Sequence, residues 1–143
     1  MKFNYSVTIN RNIHDVSKAF EDPEVMKICQ DGFIEIIPIS TEQGKPGAKA
    51  KFVYEKFDLI ETIIEHNLPD VFIGQYDHKY CSNTMKVCFK EVNAETTEYY
   101  TEIEYLEFRG IFMKIMSTIA PSFFKKQVQK WVDKFKSHLE SKN

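Results

Sequence analysis

Short stretches of alternating polar and apolar residues make up most of the chain as far as residue 108. A period of two is typical of a strand with one buried face. Turn clusters such as Glu42-Gln43-Gly44-Lys45-Pro46-Gly47 separate the stretches, as in a sheet of hairpin-connected antiparallel strands. The pattern predicts seven strands, over residues 3–10, 33–40, 48–55, 59–67, 71–79, 84–92 and 96–108.

Two short helices interrupt the strand pattern after the first strand. The first begins at Asn12 or His14 and carries apolar residues at helical spacing. The second begins with Asp22-Pro23, because aspartate caps a helix N-terminus and proline suits the first helical position. We expect this helix to end near Gly32, since glycine readily ends a helix.

The apolar period changes to that of a helix after Gly110 and continues to Leu139, with lysines on the opposite face. A straight helix over residues 110–141 would be about 48 Å long. A compact domain of this size has a diameter of roughly 37 Å. We therefore expect a bend or a break at Pro121, whose ring removes a backbone hydrogen bond. The predicted core-facing stripe consists of Phe112, Ile115, Met116, Ile119, Phe123, Phe124, Val128, Trp131, Val132, Phe135 and Leu139.

The composition favours a sheet-rich globular domain. Ile, Val, Phe and Tyr provide 43 of the 143 residues and Leu only 4, and β-branched and aromatic side chains are typical of strands. Hydrophobic residues amount to 43%, which supports a real core and excludes a disordered chain. The 19 basic and 21 acidic residues leave a net charge of −2. No overall positive field attracts nucleic acid, so we expect no nucleic-acid partner.

These elements must bury their apolar faces together. The simplest arrangement is an α+β fold in which a curved, seven-stranded antiparallel sheet wraps around the long C-terminal helix, within a single domain over residues 1–143. A helix that contacts a curved sheet only along its own length leaves space beside it. We therefore predict a cavity between sheet and helix, where a small molecule can bind.

Three segments carry a resemblance to a known superfamily. They are the strand and two helices of Ile9 through Gly32, the strand Glu61-Thr62-Ile63 with its turn Leu68-Pro69-Asp70, and the closing helix with Gln129-Lys130-Trp131. In this order they resemble the START/Bet v 1-like (SRPBCC) superfamily, whose helix-grip fold occurs in polyketide cyclases, aromatases, lipid-transfer proteins and Hsp90-activator-like domains. The resemblance covers essentially the whole chain.

The resemblance implies binding or carriage of a hydrophobic small molecule, either a lipid or an aromatic, polyketide-like compound, between the sheet and the last helix. It implies no cofactor. Two alternatives remain open, because a fold does not determine a function. One is a cyclase or dehydratase-like enzyme, and the other is an Hsp90-activator-like protein-interaction domain.

Inward-facing positions of the sheet and the last helix form the predicted binding site. A shift of one residue in register would exchange the two faces of a strand. The predicted lining consists of Phe52, Tyr54, Tyr76, His78, Met85, Val87, Phe89, Thr101, Ile103 and Tyr105 from the sheet, and of Phe112, Met116, Ile119 and Phe123 from the helix.

Tyr76 and His78 are the candidates for acid–base catalysis. They share one face of a predicted strand with Gly74, which leaves room beside them. Histidine titrates near neutral pH and tyrosine can donate a proton. The alternative interpretation is a surface histidine at the end of a strand and a tyrosine that lines the core.

Charged residues are concentrated on two elements. Residues 91–107 contain six Glu and no Lys or Arg, and we expect this acidic face to be solvated, because unpaired carboxylates are costly to bury. An acid–base pair formed by Glu102 and Glu104 is the alternative. Residues 125–143 contain six Lys, so the final helix has a basic face that is either solvated or docks on an anionic protein or lipid surface.

Cysteine spacing and the N-terminal pattern bear on the compartment. Cys29, Cys81 and Cys88 are odd in number and lack a CxxC spacing, which favours free thiols in a reducing cytoplasm over a zinc site or a disulfide framework. The histidines lie in different elements, so no metal site is predicted. The N-terminus is typical of a strand and not of a signal peptide, and no stretch approaches the roughly 18 apolar residues of a membrane-spanning helix. We expect a cytoplasmic protein that does not insert into membranes.

Overall fold

The computed structural model describes residues 1–119 and 121–141, and for residues 112, 116, 117, 119 and 121 it describes the backbone alone. In chain order the elements are β1 (Lys2–Ile9), α1 (Ile13–Phe20), α2 (Pro23–Cys29), β2 (Phe33–Pro38), β3 (Lys49–Tyr54), β4 (Asp58–Asn67), β5 (Val71–Asp77), β6 (Cys81–Asn93), β7 (Thr96–Phe108), α3 (Ile111–Ile119) and α4 (Pro121–Glu140).

The seven strands form one antiparallel sheet in the order β1-β7-β6-β5-β4-β3-β2. Strands β2 to β7 each pair with their neighbours in the chain, while β1 pairs with the last strand, β7. The predicted α+β architecture, with two short helices after β1 and a helical C-terminal segment, is confirmed. Each predicted strand begins and ends within two residues of the observed strand, except that β6 begins three residues earlier than predicted.

β6 begins earlier than predicted, because residues 81–83 belong to the strand and do not form the expected turn. Ser82 pairs with Asp77 of β5, and Cys81 pairs with Phe108 of β7. Pairing on both sides satisfies the backbone groups of this segment and overrides its local turn preference. The connection between β5 and β6 is therefore formed by residues 78–80, and His78 lies just beyond β5.

Both short helices begin at predicted caps. Asn12, and not His14, caps α1, because its side-chain oxygen accepts a hydrogen bond from a first-turn N–H at 2.9 Å. Asp22 caps α2 in the same way, also at 2.9 Å. α2 ends at Cys29, which is earlier than the end near Gly32 that we expected.

The core lies between the sheet and α4. Helix α4 packs against β1 and α2, and Val132, Phe135 and Leu139 are buried in one cluster with Ile9 and Tyr99. On β3 the predicted alternation is confirmed, since the inward-facing residues are buried and the outward-facing ones are not. In the described ranges, no helix has both the length and the apolar content needed to cross a bilayer.

Two residues of the predicted apolar stripe do not face the core. Ile115 is 47% exposed and Phe123 is 55% exposed, whereas Phe124 packs against Tyr105 and Phe108 with ring centroids 5.0 and 5.8 Å apart. Eleven residues make about three helical turns, so Phe124 shares the face of Phe135 and Phe123 is rotated away by about 100°. The side chains of Phe112, Met116 and Ile119 lie outside the described residues.

The boundary between α3 and α4 falls at the position where the sequence predicts a bend or a break. Pro121 is the first residue of α4, where a proline is compatible with the helix because the first-turn N–H groups have no partner within it. Residue 120 itself lies outside the described part of the chain.

Candidate functional site

A row of polar side chains crosses the face of the sheet that contacts α4. Glu61 of β4 pairs with Tyr76 of β5, Tyr76 with Asn83 of β6, and Asn83 with Tyr105 of β7. Paired residues of neighbouring strands extend their side chains to the same face of a sheet. The next row consists of residues without polar side-chain groups, Ile63, Gly74, Met85 and Ile103.

Glu61 and Tyr76 form a hydrogen-bonded pair within this face. The Tyr76 hydroxyl donates to Glu61 Oε2 at 2.7 Å, and Glu61 is only 9% exposed. Glu61 accepts no other hydrogen bond from the described residues, so its Oε1 atom is left without a partner there. A carboxylate in such an environment can accept a proton or a hydrogen bond from a molecule beside it.

Burial raises the pKa of Glu61, and the hydrogen bond from Tyr76 opposes this effect because it stabilises the ionised carboxylate. The negative charge of Glu21 raises the pKa of Glu61 further, and His66 lowers it. Burial and the neighbouring Glu61 also raise the pKa of Tyr76 far above its usual range. Tyr76 therefore remains a protonated donor, and Glu61 is the titrating member of the pair.

Tyr76 lies deep in the fold and is only partly covered. The residue is surrounded by protein, yet it keeps part of its surface accessible. Tyr105, in the same row as Tyr76, and Met85, in the adjacent row, are likewise only partly covered although they face α4. Part of the surface of these three side chains is therefore open to contact by water or by a small molecule.

The room that Gly74 leaves is occupied by Tyr76. A Cβ atom built on Gly74 would lie 2.9 Å from Tyr76 Oη and 3.0–3.1 Å from two ring carbons. The tyrosine ring thus lies over the glycine, and its hydroxyl is directed to Glu61. Gly74 determines the position of the Tyr76 ring and does not provide free space beside it.

Aromatic rings surround the pair. Phe52 meets Tyr76 edge to face with centroids 6.1 Å apart. Tyr54 stacks on Trp131 of α4 with centroids 6.0 Å apart, and on Phe57 at 4.6 Å. Offset stacking and edge-to-face contacts are the favourable arrangements of such rings. They connect β3 and β5 to the last helix and form an aromatic wall of the interior.

Enclosed polar atoms without a partner lie in the same interior. Among the described residues, Thr101 Oγ1 and Trp131 Nε1 are fully enclosed and form no hydrogen bond. Thr101 is 1% exposed and faces inward from β7. A buried polar group without a hydrogen bond is unfavourable, so each of these atoms carries an uncompensated cost of removal from water.

Most of the predicted lining residues of the sheet do share its inward face. Phe52, Tyr54, Tyr76, Met85, Thr101, Ile103 and Tyr105 share the inward face of the sheet. Val87 and Phe89 share this face too, but they belong to the close-packed core, where Phe89 contacts Phe20 and Tyr99 with centroids 5.6 and 5.0 Å apart. Of the four helix residues, only Phe123 has a described side chain, and it is exposed.

His78 and Tyr76 have different hydrogen-bond partners. His78 Nδ1 accepts a hydrogen bond from the Tyr80 N–H at 3.1 Å, and its ring meets Phe57 edge to face at 5.6 Å. Partial burial and the nearby Arg109 lower the pKa of His78. The structure thus pairs Tyr76 with Glu61, while His78 belongs to the β5–β6 connection.

Arg109 holds that connection and was not predicted from the sequence. Its guanidinium donates to the carbonyl oxygens of His78, Lys79 and Cys81, and to Ser82 Oγ. A planar fork with five N–H groups can satisfy several carbonyls of one turn at once. Arg109 therefore fixes the loop that carries His78.

Glu61 was also not predicted as a site residue, although the pattern around it indicates that it is buried. It lies between Leu59 and Ile63 at a period of two, so the alternation places it on the buried face of β4.

The acidic side chains of residues 91–107 are exposed or partly exposed, as predicted, including Glu102 and Glu104. In the described part of the chain, no group of three His, Cys, Asp or Glu side chains is arranged to hold a metal ion.

Part of the basic face of α4 is engaged within the molecule. Lys130 and Lys134 both contact Asp31, at 2.8 and 2.6 Å, and these two lysines hold the pKa of Asp31 below its usual range. Lys125 and Lys126 are exposed. Docking of an anionic partner on this face stays a prediction.

The order of the elements and the sheet topology define a helix-grip protein. No protein-family model matches the chain, and no curated protein matches it in sequence. Solved structures do match its fold. The ZhuI aromatase/cyclase from Streptomyces sp. R1128 matches with a TM-score of 0.78 and 8% identity, over 98% of this chain and 93% of that one.

Two further structures illustrate the range of proteins with this fold. The di-domain aromatase/cyclase StfQ from the steffimycin biosynthetic pathway matches with a TM-score of 0.72 and 13% identity, over 96% of this chain and 45% of that one. A conserved protein from Geobacillus kaustophilus matches with a TM-score of 0.73 and 14% identity, over 99% and 96% of the two chains. At such identities the likeness shows the fold alone, and the helix-grip fold that the sequence resemblance predicts is confirmed.

Proposed function

We propose that this protein binds a hydrophobic small molecule in the interior between the sheet and α4, and carries or sequesters it. The observation that carries the proposal is Tyr76, which is surrounded by protein but incompletely covered. Apolar walls with a few placed polar groups are typical of small-molecule sites. The inward face of the sheet has this character, with Met85 and Ile103 beside the polar Glu61 and Thr101.

Filling the interior is expected to weaken binding. Met85→Trp adds a large side chain on the inward face of β6, whereas Lys86→Trp adds the same side chain on the exposed face of that strand. We expect Met85→Trp to weaken binding of the neutral dye Nile red at least about tenfold, which corresponds to 1.4 kcal/mol. Lys86→Trp should bind as the wild type does.

Fluorescence titration measures the dye, and mass spectrometry of the purified wild-type protein identifies any molecule that it retains. Far-UV circular dichroism establishes that both variants are folded. Equal binding by Met85→Trp and Lys86→Trp would contradict a site in this interior.

A second candidate is an enzyme of the cyclase or dehydratase kind. The observation that favours it is the buried Glu61–Tyr76 pair, which combines a carboxylate of raised pKa with a protonated hydroxyl. Two titratable groups whose environments differ in this way can serve as base and acid. ZhuI and StfQ, which share the fold, are aromatase/cyclases.

For this candidate we expect Tyr76→Phe to lower turnover of an identified substrate about 100-fold, because a positioned proton donor is lost. Binding of the same substrate should persist, since the ring remains. His78→Ala discriminates between the two possible partners of Tyr76. An equal loss in His78→Ala would support the pair predicted from the sequence, whereas unchanged turnover in Tyr76→Phe rejects the assignment of Tyr76 as the proton donor.

A further inference from the structure

Glu61 is a buried carboxylate without a cationic partner. No salt bridge of the described residues includes it, and the Tyr76 hydroxyl is its hydrogen-bond donor. His66 lowers the pKa of Glu61, but the His66 ring itself contacts the carboxylate of Glu21 at 2.9 Å. Buried charges in proteins are normally paired, because removing a carboxylate from water is costly. The missing partner of Glu61 is therefore a feature that needs an explanation.

The hydrogen bond from Tyr76 favours the ionised form of this carboxylate. A donor at 2.7 Å stabilises the negative charge on Glu61 Oε2, and the covering of Gly74 by the tyrosine ring holds that donor in place. Burial opposes this effect and raises the pKa of Glu61, so a cation beside the other oxygen, Oε1, would stabilise the ionised form further. Among the described residues Oε1 has no partner.

The surroundings of Glu61 are suited to a positive charge. Tyr76 and Phe52 lie beside it, and Tyr54 is close enough for the charge of Glu61 to raise the pKa of the Tyr54 hydroxyl. The faces of aromatic rings attract cations, and aromatic walls with a carboxylate recognise ammonium groups. The adjacent row of Ile63, Met85 and Ile103 is apolar and can contact the remainder of such a molecule.

We propose that the ligand is an apolar molecule that carries a protonated amine, and that its ammonium group pairs with Glu61 against the surrounding aromatic rings. The inference rests on the proposed binding function and specifies the ligand class. The ammonium donates to Glu61 Oε1 and Tyr76 continues to donate to Oε2. A neutral alcohol of the same length makes the apolar contacts but leaves the carboxylate without a countercharge.

The test compares decylamine with decanol, each as a competitor of Nile red at pH 7. The two molecules share a ten-carbon chain and differ in the charged group. For the wild type we expect decylamine to bind at least about tenfold more tightly than decanol, which is the effect of one additional charge-assisted contact. Glu61→Gln keeps the shape of the side chain and removes its charge, so the ratio should fall to about one.

Glu102→Gln is the matched control, because Glu102 lies on the opposite face of the sheet and contacts Lys2 at 3.1 Å. It should keep the wild-type ratio. If Glu61→Gln does not fold, Glu61→Met provides an apolar side chain of similar volume, and the same loss of preference is expected.

The outcomes separate this inference from the binding function. If decanol displaces the dye as well as decylamine does, or if the ratio is unchanged in both Glu61 variants, the amine proposal is overturned and the binding function stands. If Nile red binds and neither competitor displaces it, the amine proposal is again overturned. If the wild type binds neither the dye nor either competitor, both proposals are rejected.

Discussion

Phe135→Ala is expected to lower the free energy of unfolding by about 3–5 kcal/mol, the usual cost of deleting a buried phenylalanine. Phe135 is 7% exposed and lies in the main core cluster with Val132 and Leu139. Its ring meets Tyr99 edge to face with centroids 5.5 Å apart. The substitution removes this contact and leaves a cavity where α4 meets the sheet.

Phe123→Ala is the matched control on the same helix. Phe123 is 55% exposed, so its removal should change the free energy of unfolding by less than about 1 kcal/mol. Urea unfolding followed by circular dichroism measures both variants. A cost for Phe123→Ala that equals the cost for Phe135→Ala would contradict the described rotation of α4.

Gly74→Ala is expected to destabilise the protein by about 2–6 kcal/mol. The added methyl would lie 2.9 Å from Tyr76 Oη, so the tyrosine ring must move and its hydrogen bond to Glu61 is lost. Overpacking typically costs about 1–3 kcal/mol. Leaving a buried carboxylate without its donor adds about 1–3 kcal/mol.

A double-mutant cycle tests the cause of this effect. The three atoms closest to the new methyl all belong to Tyr76, so in a Tyr76→Ala background the same glycine substitution should cost less than half as much. The measurement is the free energy of unfolding of the four proteins in urea. An equal cost in both backgrounds would show that Gly74 is required for another reason, and that Tyr76 is not held by it.

Much of the fold could be predicted because its signals are local. The observed bounds of β7 are Thr96–Phe108, as the alternation predicts, and Asp22 caps the second helix. The start of β6 at Cys81 could not be predicted, because it depends on pairing with both β5 and β7. Likewise, the sequence did not show that Phe124 packs on the sheet while Phe123 is exposed, because this depends on how α4 is rotated about its own axis.

The candidate site was predictable in its position more than in its chemistry. Period-two alternation correctly placed Tyr76, Met85 and Ile103 on one face. Glu61 was not among the predicted site residues, although Leu59 and Ile63 share its face. The partner of Tyr76 depends on the register between β4 and β5, and no local pattern reports that register.

The sequence by itself determined which segments are strands and helices, their order, and which face of each is apolar, because these properties follow from periodicity within a few neighbouring residues. Only the tertiary structure decided that Tyr76 covers Gly74 and donates to a buried Glu61. It also decided that Trp131 stacks on Tyr54 and that Arg109 holds the loop of His78. Each of these contacts joins residues of different elements, so it arises from packing and register and not from local pattern.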